Sequence, residues 1–513
     1  MAAASQTSIP VAAECRRLLV RQLDLLPDVE RAFVHLYGES QNAFWLDSSI
    51  GGERGRFSFI GDDQGPLGAV ISYGVGDGQV RVERGEEIEV REESIFAYLD
   101  RVLPGLRPLY ADLPFDFDCG FAGYFGYELK ADCDGDAAHR APTPDAAFIF
   151  ADRLIAFDHE ERRTYLLTLT GIRPELHQLL HLADREVDAV RLTSEGERWI
   201  EETSERLVAL PPLAEPAPGP GSVELRLRRS PERYRDDIEA CKRYLTAGHS
   251  YEICLTNKLV AKASSDPLEL YRALRRANPA PFASYLRFGD LAVLSSSPER
   301  FLAVDRNGWA EARPIKGTSR RGKTPEEDAR LGSELGSDEK SRAENVTIVD
   351  LLRNDLGRVC EVGTVSAPEL MRVETYETVH QLVSSVRGRL REEIGAAECV
   401  RACFPPGSMT GAPKLRTMEI IDELEGEARG AYSGAIGYLG LGGTCDLSVA
   451  IRTIVKDGLE TTIGAGGAIV IESDPEDEFE EMLLKTRAQA SALSSCRPAQ
   501  GNAELLALSD RTD

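Results

Sequence analysis

Short apolar runs, alternating or solid and cut by glycine, aspartate and asparagine, dominate this chain. They constrain its fold more than any other feature. Between Arg31 and Gly171 come AFVHLYG, AFWLDSS, RFSFIGD, AVISYGV, QVRVERG, GFAGYFGYE, AAFIFADRLIAFDH and RRTYLLTLTG. Each has strand character and ends at turn formers. The pattern returns in SYEICLTNKLVAKA, FASYLRFGDLAVLSSS and ERFLAVDRNGWAEARPIKGT, then in GAYSGAIGYLGL, CDLSVAIRTIVKDG and LETTIGAGGAIVIES. Helical patterns are interspersed at Asp184–Val208, after a Ser-Pro start at Ser230, at Pro325–Leu335, at Ser337–Arg358 and from Pro475 to about Ser491. Such a mixture predicts an α+β fold with large antiparallel sheets, not a doubly wound parallel sheet.

With 513 residues the chain exceeds one ordinary core. LPPLAEPAPGPGSVEL, residues 210–225, holds Pro211, Pro212, Pro216, Pro218 and Pro220, which no helix or central strand accommodates. It predicts a linker between an N-terminal region, 20–209, and a catalytic region, 226–492, with 493–513 as a polar tail. The net charge of −25 argues against nucleic acid or an anionic membrane as partner. An anionic small substrate would need a local cationic pocket or a metal. Ten cysteines without a C-x-x-C pair suggest a reducing compartment. No signal-peptide core and no apolar run of ~20 residues is present, so a cytoplasmic location is expected.

Several motifs fail on inspection. GAGGAI, 464–469, lacks the dinucleotide-binding spacing and leads into a strand. GSMTGAPK, 407–414, sets a proline before its lysine, and no G-x-S-x-G or G-x-C-x-G occurs. The carboxylates are more informative. Glu299 precedes a strand in SSSPERF, Glu344 lies on a helix in SRAENVTIVDLLRNDLG, and Glu478, Glu481 and Lys485 share a face of the last helix. Alone, Glu481 and Lys485 read as a solvated i,i+4 pair contributing ~0.2–0.5 kcal/mol.

Together with PIKGT, DLLRNDLGRV, ETYETVHQLVSSVRG, FPPGSMTGAPK, SGAIGYLG, AIRTIV and GAGGAIVIESDPEDEFEEMLLK, in this order, these segments resemble the chorismate-utilising enzyme family. That family includes anthranilate synthase and aminodeoxychorismate synthase components I and the isochorismate and salicylate synthases. The resemblance covers Ser230 to Ala490 strongly and reaches the N-terminal region through FWLDSS and RFSFIGD. It implies two large, mostly antiparallel sheets packed as a sandwich with flanking helices.

The resemblance also implies roles. Glu344 and Glu481 match the glutamates that hold Mg²⁺ against the chorismate ring carboxylate. Glu299 matches the general acid for the leaving C4 hydroxyl. Arg452 and Tyr438 match partners of the substrate's side-chain carboxylate. Gly464, Ala465, Gly466 and Gly467 would offer backbone N–H groups as an anion nest. Lys485 lies near the metal-bound carboxylate, His380 beside the ring, and Thr318 and Thr410 among the substrate contacts.

Lys316 distinguishes the branches. Anthranilate synthases, the alternative reading, carry alanine there, whereas aminodeoxychorismate synthases carry a nucleophilic lysine. The expected product is 4-amino-4-deoxychorismate, precursor of p-aminobenzoate and folate. Attack needs a neutral amine, so a desolvated site or a cationic neighbour is expected to lower the Lys316 pKa. Arg313, Arg320 and Arg321 flank it in sequence. Glu252, not Lys258, occupies the position where related synthases keep a lysine that activates water. Ammonia would come from a separate class I glutamine amidotransferase subunit. FWLDSS resembles the family's tryptophan-binding segment, with Asp47 and Ser48 aided by Asn278, Pro279 and Phe282. Pro406 departs from the usual glycine of its loop and removes an N–H there.

Overall fold

The computed structural model describes residues 18–48, 55–106, 113–170, 189–213, 223–262, 265–376 and 379–495. Their strands form two twelve-stranded sheets with antiparallel pairings. The first runs Leu18–Leu23, Arg163–Leu169, Arg153–Asp158, Phe57–Asp62, Asn42–Asp47, Phe282–Phe288, Leu291–Ser297, Thr453–Asp457, Glu460–Ile469, Glu252–Lys262 and Arg226–Leu227, with Gly411–Ala412 also beside Glu252–Lys262. The second runs Ile315–Arg320, Val379–Arg389, Trp309–Arg313, Arg300–Val304, Cys445–Val449, Ala435–Gly440, Gly120–Phe125, Ala146–Ala151, Ala69–Gly74, Gln79–Arg84 and Glu87–Glu92, with Ser366–Thr375 also beside Val379–Arg389. Each sheet takes strands from both sides of the proline-rich stretch. That stretch, largely outside the described residues at 214–222, divides the chain but not the sheets.

The solid apolar runs explain the packing. Gly120–Phe125 and Ala146–Ala151 are buried along their whole length, as expected for strands covered on both faces. Between the sheets Phe117 stacks on Tyr438 with ring centroids 4.4 Å apart, and Phe59 meets both rings edge-on at 5.4 and 5.8 Å. Helices Val29–Tyr37, Ala189–Val208 and Pro267–Ala277 contribute to a second core with Trp45 and Tyr285. Helices Pro231–Thr246 and Lys414–Glu425 pack on strand Glu252–Lys262, and helix Pro475–Ser495 packs on its neighbour Glu460–Ile469.

The Ser-Pro start behaves as expected: Ser230 caps Pro231–Thr246 by accepting from Arg233 N–H. One strand expectation is corrected. AFVHLYG lies in helix Val29–Tyr37, because Asp28 caps it and Val29, Ala32, Phe33 and Tyr37 form one buried stripe. Among the described residues no helix is long and apolar enough to cross a membrane.

The chain passes between the sheets twice at one place. Ser297 leads through Pro298 and Glu299 to Arg300, and Val449 leads through Ala450, Ile451 and Arg452 to Thr453. The crossings bond to each other, Val449 N–H to the Glu299 carbonyl at 3.0 Å and Ser296 N–H to the Arg452 carbonyl at 3.2 Å. Truncating the central ring, Phe117→Ala, should destabilise the protein by about 3–5 kcal/mol, read as a lower urea midpoint at unchanged slope.

Candidate active site

The crossings gather the sequence-predicted acid, cation and lysine at one seam. Glu299, 6% exposed, sits in the first crossing. Its carboxyl lies against Ile315 N–H, the Ser408 hydroxyl and Lys316. Burial outweighs these contacts and raises its pKa to about 7. Arg452 sits in the second crossing at φ +54, with Nη1 donating to the Lys485 carbonyl at 2.9 Å. Burial lowers its pKa, and the charges that act on it are those of Tyr432 and Glu481.

Lys316 lies on the edge strand Ile315–Arg320, where the ladder to Val379–Arg389 slips by a bulge and Gly317 takes φ +88. The residue is 7% exposed. Nζ donates to Glu252 Oε1, and Glu344 Oε2 is 3.9 Å away. Burial opposes the charge, but these two carboxylates override it and raise the pKa well above the ordinary lysine value. The expected lowering is therefore corrected, because the flanking arginines turn elsewhere. Arg313 pairs with Glu369 and Glu374, Arg320 with Glu327, and Arg321 with Asp328.

Glu344 projects from helix Glu339–Gly357, which Asp338 caps. Its pKa is raised to about 6 by burial, with Glu252 and Glu478 adding repulsion against the pull of Lys316 and Lys340. The last helix offers Glu478 to it more closely than Glu481. Glu478 is buried, bonds Ser473 Oγ at 2.7 Å and Lys340 Nζ at 3.2 Å, and sets Oε2 against Gly467. The Glu481 side chain is 52% exposed and pairs with Lys485 at 2.7 Å. Lys485 also donates to the Gly466 carbonyl at 2.8 Å.

Other residues are placed differently from the sequence reading. Tyr438 is a core residue, stacked on Phe117. The tyrosine near Arg452 is Tyr432, whose ring would meet a Cβ at Gly464 at 2.2 Å. His380 turns away: it bonds Thr375 Oγ1 and Asp328 Oδ1, both at 2.9 Å. Strand alternation sends His380 toward helix Pro325–Ser337 and its neighbour Gln381, paired with Thr318, to the opposite face. Gly464, Ala465, Gly466 and Gly467 form no nest, because they are extended strand paired with Lys258, Asn257, Thr256 and Leu255. Their pairing with Thr453–Asp457 ends at Ile463, which leaves their other edge open among the described strands. Thr410 is fully buried, its hydroxyl donating to the Gly407 carbonyl at 3.2 Å. In that loop Ser408 lies near Glu299 with its hydroxyl buried and without a hydrogen-bond partner among the described residues, and Pro406 contributes a carbonyl that accepts from Met409 N–H.

The residues of the tryptophan reading converge at another edge. Asp47 pairs with Ala283 beside Phe282, following the turn that holds Asn278 and Pro279. Asn278 Nδ2 donates to Ser296 Oγ at 2.8 Å. Ser48 Oγ is buried without a hydrogen-bond partner among the described residues. Asp47 receives Arg275 Nε at 2.6 Å, and that guanidinium lies 5.0 Å over the Trp45 ring.

Sequence reasoning thus missed Ser408 and Tyr432, placed Glu478 on the last helix but gave the metal role to Glu481, and assigned Glu252 no chemistry. Only Glu478 left a signal, its i,i+7 spacing to Lys485.

A family model described as chorismate binding enzyme matches residues 69–491. The aminodeoxychorismate synthase of Streptomyces pristinaespiralis is 47% identical over 93% of this chain, which spans 65% of that relative's length. Anthranilate synthase component 1 of Acetivibrio thermocellus is 34% identical over 89% of this chain and 91% of its own. Among solved structures, anthranilate synthase component I from Streptococcus pneumoniae superposes with a TM-score of 0.69 at 28% identity, covering 86% of this chain and 93% of that one. The anthranilate synthase component I-like fold expected from the sequence is the fold observed.

The raised pKa of Glu299 has a stability consequence. The folded state favours the protonated carboxyl, so this contribution is whole below the ordinary glutamate pKa and is lost as pH rises through about 7. Urea unfolding at pH 5 and pH 8 should show Glu299→Gln gaining roughly 3 kcal/mol relative to wild type across that interval.

Proposed function

The chain belongs to the chorismate binding enzyme family, and from that premise we propose that it makes 4-amino-4-deoxychorismate from chorismate and ammonia. The observation that carries this reading is Lys316, buried between Glu252 and Glu344 with the Glu299 carboxyl beside it. A lysine so enclosed is poorly explained as a solvated loop charge. In the proposed reaction Lys316 attacks chorismate C2 while Glu299 protonates the departing C4 hydroxyl. Ammonia then adds at C4 and expels the lysine. The 47% identity to an aminodeoxychorismate synthase supports this branch over anthranilate synthesis, whose relative matches at 34%.

The proposal includes Mg²⁺. Glu344, half-buried, and Glu478, buried, are carboxylates close enough to repel, a pair whose charge a cation would relieve. Among the described residues no three His, Cys, Asp or Glu side chains could hold a metal by themselves. Two protein carboxylates with the remaining positions left to a substrate carboxylate and water suit Mg²⁺, which would neutralise and orient the anion. Arg452, the open edge at Gly464–Gly467 and Lys485 would bind the other carboxylate. We assign the nitrogen supply to a glutamine amidotransferase subunit and the location to the cytoplasm, in keeping with eight described cysteines that are free and buried. A tryptophan beside Asp47 would have to share that carboxylate with Arg275.

Incubated with chorismate, Mg²⁺ and an ammonium salt, the protein should yield aminodeoxychorismate and no anthranilate fluorescence. Lys316→Ala should lose at least ~10²-fold in output. Fluorescent anthranilate as the direct product would sink the reading. Glu478→Gln should raise the Mg²⁺ concentration for half-maximal turnover ~10-fold or more, and Glu481→Gln should raise it less than ~3-fold, in a Mg²⁺ titration of initial rates.

A further inference from the structure

We propose that Glu252 is a catalytic residue of this reaction, the acceptor of the proton that the Lys316 ammonium sheds as its nitrogen attacks. The inference rests on the covalent reading above. An ammonium has no lone pair, so the first event at Lys316 must be loss of a proton to a group already bonded to it. Glu252 Oε1 is that group, the direct acceptor of the Nζ hydrogen bond. Glu344 stands 3.9 Å off, and Glu299 is needed in its acid form.

The placement of Glu252 fits a proton acceptor better than a structural counter-ion. The residue is 1% exposed, and its second oxygen, Oε2, is buried without a hydrogen-bond partner among the described residues. Buried carboxylates that serve structure usually have both oxygens satisfied. Glu425 here does: Oε1 takes Thr256 N–H and Oγ1 as well as Arg429 Nη2, and Oε2 takes Arg429 Nε. Glu252 is also held in place. Its carbonyl accepts from Ser250 Oγ at 2.9 Å, and a Cβ at Gly411 would come within 1.9 Å of that carbonyl oxygen. It belongs to the first sheet and Lys316 to the second, so the proton would cross the seam at the substrate.

The atoms balance. A proton moves from Nζ to Oε1, and the freed lone pair forms the bond to C2. Both ring double bonds shift, C1=C2 to C1=C6 and C5=C6 to C4=C5, the C4–O bond breaks, and the oxygen takes the Glu299 proton and leaves as water. Ammonia's lone pair then forms the C4–N bond, the two double bonds return to C5=C6 and C1=C2, and the C2–N bond breaks with its electron pair returning to Nζ. Glu299 regains a proton from the new C4 ammonium, and Lys316 regains its own from Glu252.

Glu252→Gln keeps an oxygen that accepts a hydrogen bond but cannot take a proton. Its chorismate KM should stay within ~3-fold of wild type, while kcat and the rate of the trapped mass adduct on Lys316 should both fall ~10²–10³-fold. Formate should restore part of the turnover of Glu252→Ala with a saturable dependence, which a structural role would not give. A Glu252→Gln enzyme forming the adduct within ~3-fold of the wild-type rate overturns the proposal and leaves the covalent reading standing. Should that variant not fold, formate decides: saturable rescue supports the role, and none overturns it. No adduct in wild type, with Lys316→Ala at full output, overturns the covalent reading and this proposal with it.

Discussion

Two backbone hydrogen bonds between neighbouring crossings, Val449 to Glu299 and Ser296 to Arg452, hold the geometry on which the site depends. They continue an antiparallel ladder from one sheet into the other, since Ser295 pairs with Thr453 before the crossing and Arg300 with Ser448 after it. An acid and a guanidinium that belong to loops in sequence thereby gain the precision of a strand pair. Buried backbone groups must find partners, and here they do so across the point where the sheets part. The chain accepts φ +54 at Arg452 in the same place, a conformation disfavoured for a residue with a side chain.

Around that seam the protein concentrates opposed charges where water is scarce. Glu252, Glu299, Glu344 and Glu478 face Lys316 and Lys340. Burial pushes Glu299 and Glu344 up toward neutrality, so neither is the fully ionised carboxylate that solvent would leave. Glu252 and Glu344 keep Lys316 charged. The charges at this seam can therefore be redistributed by single proton transfers, although the chain carries a net charge of −25. Ordinary surface pairs elsewhere, such as Arg330 with Glu334, are solvated and contribute little to this balance.

Much of the fold was legible because it rests on local pattern. Solid apolar runs such as GFAGYF became buried strands, and Ser230 capped the helix its position announced. The run at Ala32–Gly38 misled because a short apolar segment has no decisive period, and only the Asp28 cap resolves it. At the site, Glu299, Lys316, Glu344 and Arg452 were identified as members of motifs, and the seam brings them together. Tyr438 and His380 were not legible, because a strand neighbour one residue away or a tyrosine six residues away carries the same local signal. Which side of a strand faces a ligand is set by what packs on the other side, Phe117 for Tyr438 and Asp328 for His380.

Local pattern along the chain was enough for the antiparallel α+β class, the family resemblance, and the residue types proposed for an acid, a nucleophile and a metal site. These follow from periodicity, turn formers and ordered motifs, all properties of neighbours along the chain. Tertiary structure alone decided that Lys316 is met by carboxylates and not by its flanking arginines. It also decided that Glu478 turns inward while Glu481 stays half in solvent, and that Glu252 holds the lysine across the seam. Those outcomes depend on which segments distant in sequence are pressed together, and a side chain's charge state is set by what lies within a few ångströms of it in space.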